Sequence, residues 1–285
     1  MNLTGTEPPG GAVPPPNPPP VAPSGWLDGL LDGRDFAGRQ AQGVREVQED
    51  SYGVVPRAEF GGGPEDLFLV VADGMGGYAA GEVASTLAVN TFAETFLESA
   101  TACDAGRLWD CLEEANRRIG KDIKARGKAV EGMGTTLLAV LLRGSSVRWM
   151  SVGDSPLYRV RGQELQRLNR IHSKATELAE RVRAGLISEA EARQDPTRHT
   201  LTSALIGEVI YEVDDSAPVE LLPGDVLVAA TDGIETLTHE EIAGVVAGQA
   251  SSGAAAVASA LLEAVAAKQM PKQDNTTVVV VRVRG

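Results

Sequence analysis

Three aspartates stand at the ends of apolar runs: Asp73 directly after residues 67–72, Asp232 just beyond 226–230, and Asp274 shortly before the Thr- and Val-rich run that starts at Thr276. A carboxylate at a strand end is rigidly aimed, and several that converge repel one another unless a cation neutralises them. Such an all-oxygen donor set suits Mg²⁺ or Mn²⁺. Gly74 is expected to turn the chain sharply and offer its carbonyl to an ion, while Gly76 and Gly77 leave room for a ligand near the backbone. Any single Asp-Gly pair reads first as an ordinary turn after a strand; it is the set that points to metal chemistry. A competing constellation, Cys111 to Arg117, has the Cys-x5-Arg spacing of a thiolate phosphate cradle. Its intervening residues are glycine-free and helix-like, and Glu113 and Glu114 would repel phosphate and raise the thiol pKa, which argues against it.

The elements that must position these aspartates are legible as short Val-, Leu- and Ile-rich runs at 67–72, 135–142, 147–152, 226–230 and 276–283, each predicted as a buried strand. Alanine-rich or amphipathic stretches at 82–97, 108–125, 175–184, 188–192, 240–246 and 254–268 predict helices. The gap at 143–146 is too short for a parallel crossover and predicts an antiparallel hairpin. An α/β (α+β) sandwich follows, with two antiparallel sheets packed face to face and helices outside.

A hydrophobic content of 43% in 285 residues is ample for one large core. Residues 1–24, rich in Pro-Pro and Gly-Gly, predict a disordered or partly polyproline II tail, and residues 25–285 a single domain. With 39 acidic against 26 basic residues the formal net charge is -13, and no Lys/Arg run suggests a nucleic-acid face. Cys103 and Cys111 fall in a helix-like stretch and read as small hydrophobes, not a disulfide framework. With no signal-peptide pattern and no apolar run near the roughly 20 residues that span a bilayer, the expected setting is the cytoplasm, away from membranes.

Six short segments, in order, resemble the metal-dependent protein serine/threonine phosphatases of type 2C, the PPM family, and specifically its bacterial-type members. They are the segment from Gly43 to Ser51, Asp73-Gly74-Met75-Gly76-Gly77, Gly132 to Thr136, Gly153-Asp154-Ser155, Thr231-Asp232-Gly233, and Asp274-Asn275-Thr276-Thr277. The resemblance implies a four-layer α-β-β-α sandwich and two Mn²⁺ or Mg²⁺ ions with a possible third. It implies that Asp73 bridges two ions, that Gly74 gives its carbonyl, that Asp232 and Asp274 serve one ion, and that Asp50 and Glu49 act through bound water. Asp154 matches an aspartate of the third ion, with a hairpin-turn cap as its alternative reading. Arg45, at the opening strand of the family, is implied as the phosphate clamp, a role its planar fork of donors suits.

The implied reaction is hydrolysis of phosphoserine and phosphothreonine by direct attack of a metal-bridging hydroxide, on substrates of a cognate Ser/Thr kinase. A catalytically weak pseudophosphatase that binds phosphoproteins is the alternative, and retention of the core acidic positions weighs against it. Met75 stands where many eukaryotic members have a histidine, Pro156 where arginine is frequent, and Ile171 where Asp precedes His-Ser. His172 then reads as structural, and residues 173–201 as a helical flap in which substrate choice is expected to reside.

Overall fold

The computed structural model describes residues 35–56, 66–76, 80–130, 132–198 and 200–283; the tail expected at 1–24 and Gly77 lie outside them. One sheet has the strand order β1 (Phe36–Ala41), β12 (Thr276–Arg282), β11 (Val226–Ala230), β7 (Leu157–Arg161) and β8 (Glu164–Arg167). The other runs β10 (Val219–Glu220), β6 (Ser146–Val152), β5 (Leu137–Arg143), β3 (Leu67–Met75) and β2 (Asp50–Pro56), with β4 (Gly134–Thr135) on β3 and β9 (Asp214–Asp215) on β6. Every pairing is antiparallel, and the predicted hairpin closes with Arg143 opposite Ser146.

The strands read as continuous apolar runs because both faces of each sheet are covered. Leu67, Leu69 and Val71 of β3 meet Leu227, Ala229, Val279 and Val281 between the sheets. The alternate residues Phe68, Val70 and Ala72 pack outward under α1 (Ala80–Glu98) and α2 (Asp104–Arg126). Phe68 stacks on Phe96 with ring centroids 4.0 Å apart, and burial of each such ring stabilises by about 1.5–3 kcal/mol. Across the molecule, Val228, Val278 and Val280 pack under α5 (His239–Gly248) and α6 (Ala254–Ala267). The result is the four-layer sandwich.

Two local expectations need correction. Of residues 43–51, likened to an opening strand, only Asp50 and Ser51 are in a strand, β2; residues 43–49 lie in the loop between β1 and β2, so Arg45 is loop-borne. Gly74 makes no turn: it lies within β3, opposite Thr135 of β4. A side chain there is excluded instead by α1, since a Cβ would fall 2.1 Å from the Gly81 carbonyl oxygen. Between β8 and β9 the chain makes an excursion whose ends meet at an antiparallel bridge, Ser173 to Leu201. It carries α3 (Lys174–Arg183) and α4 (Glu189–Gln194), the latter closed by a reciprocal Ser188–Glu191 capping box.

Candidate metal centre

The aspartates come from both sheets. Asp50 and Asp73 are direct partners across β2 and β3. Asp232 follows β11 and opens a short 3-10 turn to Thr236, while Asp274 precedes β12. Asp154 lies where the chain leaves β6 for β7, which belong to different sheets, so it does not cap a hairpin. A cavity of about 600 Å³ opens between these edges, with Arg45, Glu49, Asp73, Gly74, Asp154, Asp232 and Asp274 in its walls.

Asp73 is fixed at its backbone. Its N–H donates to Thr136 Oγ1 (2.9 Å), and its carbonyl accepts from the Thr136 N–H (2.9 Å) and from Thr135 Oγ1 (2.8 Å). Asp50 is fixed by its side chain: Oδ2 accepts from Thr277 Oγ1 (2.7 Å), in β12 of the opposite sheet, and from Thr231 Oγ1 (2.9 Å), directly after β11 of that sheet. Its Oδ1 is buried without a hydrogen-bond partner. An orphaned buried carboxylate oxygen is costly unless something positive meets it.

The electrostatics agree. Burial pushes Asp50 up to about 7, against the lowering effect of its two threonines. Burial, then Asp232 and Glu235, raise Asp154 to about 7, and burial with Asp274 and Glu235 raises Asp232 to about 6. Asp73 is raised well above the carboxylate range by burial and by Asp50, Asp232, Asp154 and Asp274. Burial also raises Glu49, although the Gly81 N–H at the start of α1 donates to it. Carboxylates this buried and this close to one another are stabilised in their charged form by a cation among them. As placed, Asp274 is drawn to Arg45 (Nη2 to Oδ2, 2.5 Å), and among the described residues no three acidic, His or Cys side chains stand at ion-binding spacing. The oxygen donor set, the mutual repulsion and the orphaned Asp50 oxygen nevertheless fit hard divalent cations.

The Cys111 alternative fails on geometry. Cys111 is a buried core residue of α2 whose thiol is pushed up to about 12 by burial, and Arg117 is paired with Glu114. His172 is buried; its Nδ1 accepts from the Gly153 N–H (3.1 Å) and its backbone N–H donates to the Gly153 carbonyl (2.9 Å), which positions the turn before Asp154.

Residues 37–273 match the sequence pattern of the family described as protein phosphatase 2C. The chain belongs to that family. The serine/threonine phosphatase stp of Listeria monocytogenes is 32% identical over 200 residues, 69% of this chain and 76% of that protein. The structure of PstP/Ppp from Mycobacterium tuberculosis superposes with a TM-score of 0.72 at 29% identity, covering 88% of this chain and 98% of that one. The catalytic domain of PstP in complex with two manganese ions superposes with a TM-score of 0.70 at 30% identity, again over 88% and 98%. This member is thus a metal-dependent serine/threonine phosphatase, a hydrolase. No helix among its described residues is long and apolar enough to cross a membrane.

The site also uses residues to which the motifs assigned no role. Thr231 and Thr277 tie Asp50 to the other sheet. Asn275 holds the Arg45 loop, donating to the carbonyls of Gln42 and Val47 and accepting from the Glu49 N–H. Their positions beside Asp232 and Asp274 were the available signal. Thr200 and Leu201 of the cavity lining fall at the end of the flap expected at 173–201, but residues 202–204, Ile206, Val209 and Tyr211 carried no sequence signal.

Proposed function

We propose that Asp73, Asp232 and Asp274, with the Gly74 carbonyl, hold two Mn²⁺ or Mg²⁺ ions, that Asp50 and Glu49 support them through water, and that Asp154 serves a third. The observation that carries this reading is the convergence of the carboxylates of both sheets on one cavity, where burial, and then the neighbouring carboxylates, raise the pKa values of Asp73, Asp154 and Asp232. When bound, the ions supply Lewis acidity toward phosphoryl oxygens and acidify a water for attack on phosphorus. Arg45 grips the phosphoryl group: its Nη2 is on Asp274, its side chain lines the cavity, and a planar fork of donors suits phosphoryl oxygens. Thr231 and Thr277 keep Asp50 oriented and favour its charged form. Met75 has no proton to donate, so departure of the serine or threonine alkoxide relies on water.

The substrates are phosphoserine and phosphothreonine proteins, and the biological partner is a cognate Ser/Thr kinase whose modifications the enzyme reverses. Cys103 and Cys111 are both free, in keeping with a reducing, cytoplasmic setting. Hydrolysis of a phosphothreonine peptide with Mn²⁺, with Mg²⁺ and with EDTA tests the reading. Turnover requires the metal, disappears with Asp73→Ala, and survives Met75→Ala. Full activity of the Asp73 variant would overturn the assignment, and bound metal without turnover of any peptide would favour the pseudophosphatase.

A further inference from the structure

The cavity has two chemically different walls. The acidic one serves phosphoryl transfer. The other, from the segment after α4, presents Leu201, Ala204, Ile206, Val209 and Tyr211. Val209 and Tyr211 are 71% and 80% exposed, the two most exposed large hydrophobic side chains among the described residues. Phosphoryl chemistry gives neither a use, and leaving apolar surface in water forgoes about 25 cal/mol per Å².

Their exposure is imposed by the loop. Ile210 and Val213 pack against the core beneath α1 and α2, which turns the alternate residues Val209 and Tyr211 outward. Asn116 of α2 pins the loop's centre: its Oδ1 accepts from the Gly207 N–H (2.8 Å) and its Nδ2 donates to the Glu208 carbonyl (2.6 Å). Gly207, at φ +77, lies so close to α2 that a Cβ would stand 2.2 Å from the Gly120 Cα. Ser203 Oγ donates to the Glu212 carbonyl (2.9 Å) and accepts from the Glu212 N–H (3.1 Å), lacing the two ends together. A loop braced at its ends and middle presents its side chains with little ordering cost on binding.

We propose that Val209 and Tyr211 form a subsite for an apolar side chain flanking the phosphorylated residue of a protein substrate. The proposal rests on the phosphatase reading above. Its occupant is the substrate chain itself, because the wall is continuous with the cavity that holds Asp73 and Arg45. A polypeptide with its phosphoryl group among the aspartates extends over this rim. Selection by sequence would then lie in residues 203–212, beyond the helical excursion at 173–201.

The test uses the full chain with Mn²⁺ and three substrates: a phosphothreonine peptide with Leu and Val flanks, the same peptide with Ser flanks, and blocked phosphothreonine alone. Wild type hydrolyses the apolar peptide with a kcat/KM about tenfold above that of the Ser peptide, mostly through KM, as burial of one side chain warrants. The double variant Val209→Ser, Tyr211→Ser loses that preference while acting on blocked phosphothreonine within about twofold of wild type. Equal use of both peptides by wild type, or a uniform loss on all three substrates in the variant, overturns the subsite. Fluorescence anisotropy with labelled, non-hydrolysable phosphonate analogues of the same peptides in Mn²⁺ reads the subsite without turnover. If no substrate is hydrolysed, the phosphatase reading falls, while the ratio of the two peptide affinities still decides the subsite: tighter apolar binding lost in the variant supports it, and equal binding sinks it.

Discussion

Replacing Asp154 with Asn should make the metal-free protein more stable, and increasingly so as pH rises. Burial and the charges of Asp232 and Glu235 raise this carboxyl to about 7, against about 3.9 in an unfolded chain. The folded state therefore binds its proton more tightly, so the wild-type residue costs stability once pH climbs above the unfolded value. At about 1.4 kcal/mol per tenfold displacement of a proton equilibrium, the ionisation penalty grows from roughly 1.5 kcal/mol at pH 5 to about 4 kcal/mol at pH 8. Relaxation and water entry lower these upper figures, and about 2 kcal/mol at pH 8 is a reasonable expectation for the variant. In a domain of this size that amounts to roughly 4–8 °C in Tm. Thermal unfolding in EDTA at pH 4, 5 and 8 reads the effect: Asn gains little at pH 4 and most at pH 8, and Mn²⁺ narrows or reverses the difference by stabilising wild type. A variant equally or less stable than wild type in EDTA at pH 8 would refute the claim that Asp154 is held in a repulsive cluster for binding a cation.

Thr277→Val removes one of two hydroxyl donors to the buried Asp50 Oδ2; at about 1.5–3 kcal/mol for a hydrogen bond to a charged group, Mn²⁺ titrations should show affinity lowered by roughly tenfold or more, with the loss greatest at acid pH, where Asp50 takes up its proton more readily. Asn116→Ala removes both bonds to the 207–208 backbone and should speed hydrogen exchange at residues 206–209 while raising KM for phosphopeptides more than kcat falls; unchanged exchange there would show that the glycine contact alone holds the loop. Iodoacetamide should leave Cys111 unlabelled in the native protein and turnover intact, because the thiol is buried with its pKa pushed up to about 12; inactivation that tracks Cys111 labelling would reopen the thiolate chemistry.

The strands that carry Asp73, Asp232 and Asp274, the six α-helices among the described residues and the antiparallel hairpin at 143–146 were all readable from local pattern. A strand buried on both faces leaves an unbroken apolar run, and a helix buried on one face leaves a 3- to 4-residue rhythm such as Leu108, Cys111, Leu112, Ala115 and Ile119. The short strands β7 to β10 and β1 were harder, since Arg159 and Arg161 in β7, or Glu164 in the edge strand β8, interrupt any such run. The motif order carried the family, because a metal centre of this kind needs particular residue types at fixed strand ends. Only the tertiary structure decided what those ends meet. Asp50 and Asp73 are 23 positions apart yet paired across two strands, and the two threonines that orient Asp50 come from the other sheet's β12 and from directly after its β11. The exposed pair Val209 and Tyr211 shows the limit most plainly. In the sequence they look like part of an ordinary Val- and Ile-containing stretch, and their outward facing follows from Asn116 and Gly120, which lie some ninety residues earlier on α2 and fix the loop through contacts that no local pattern encodes.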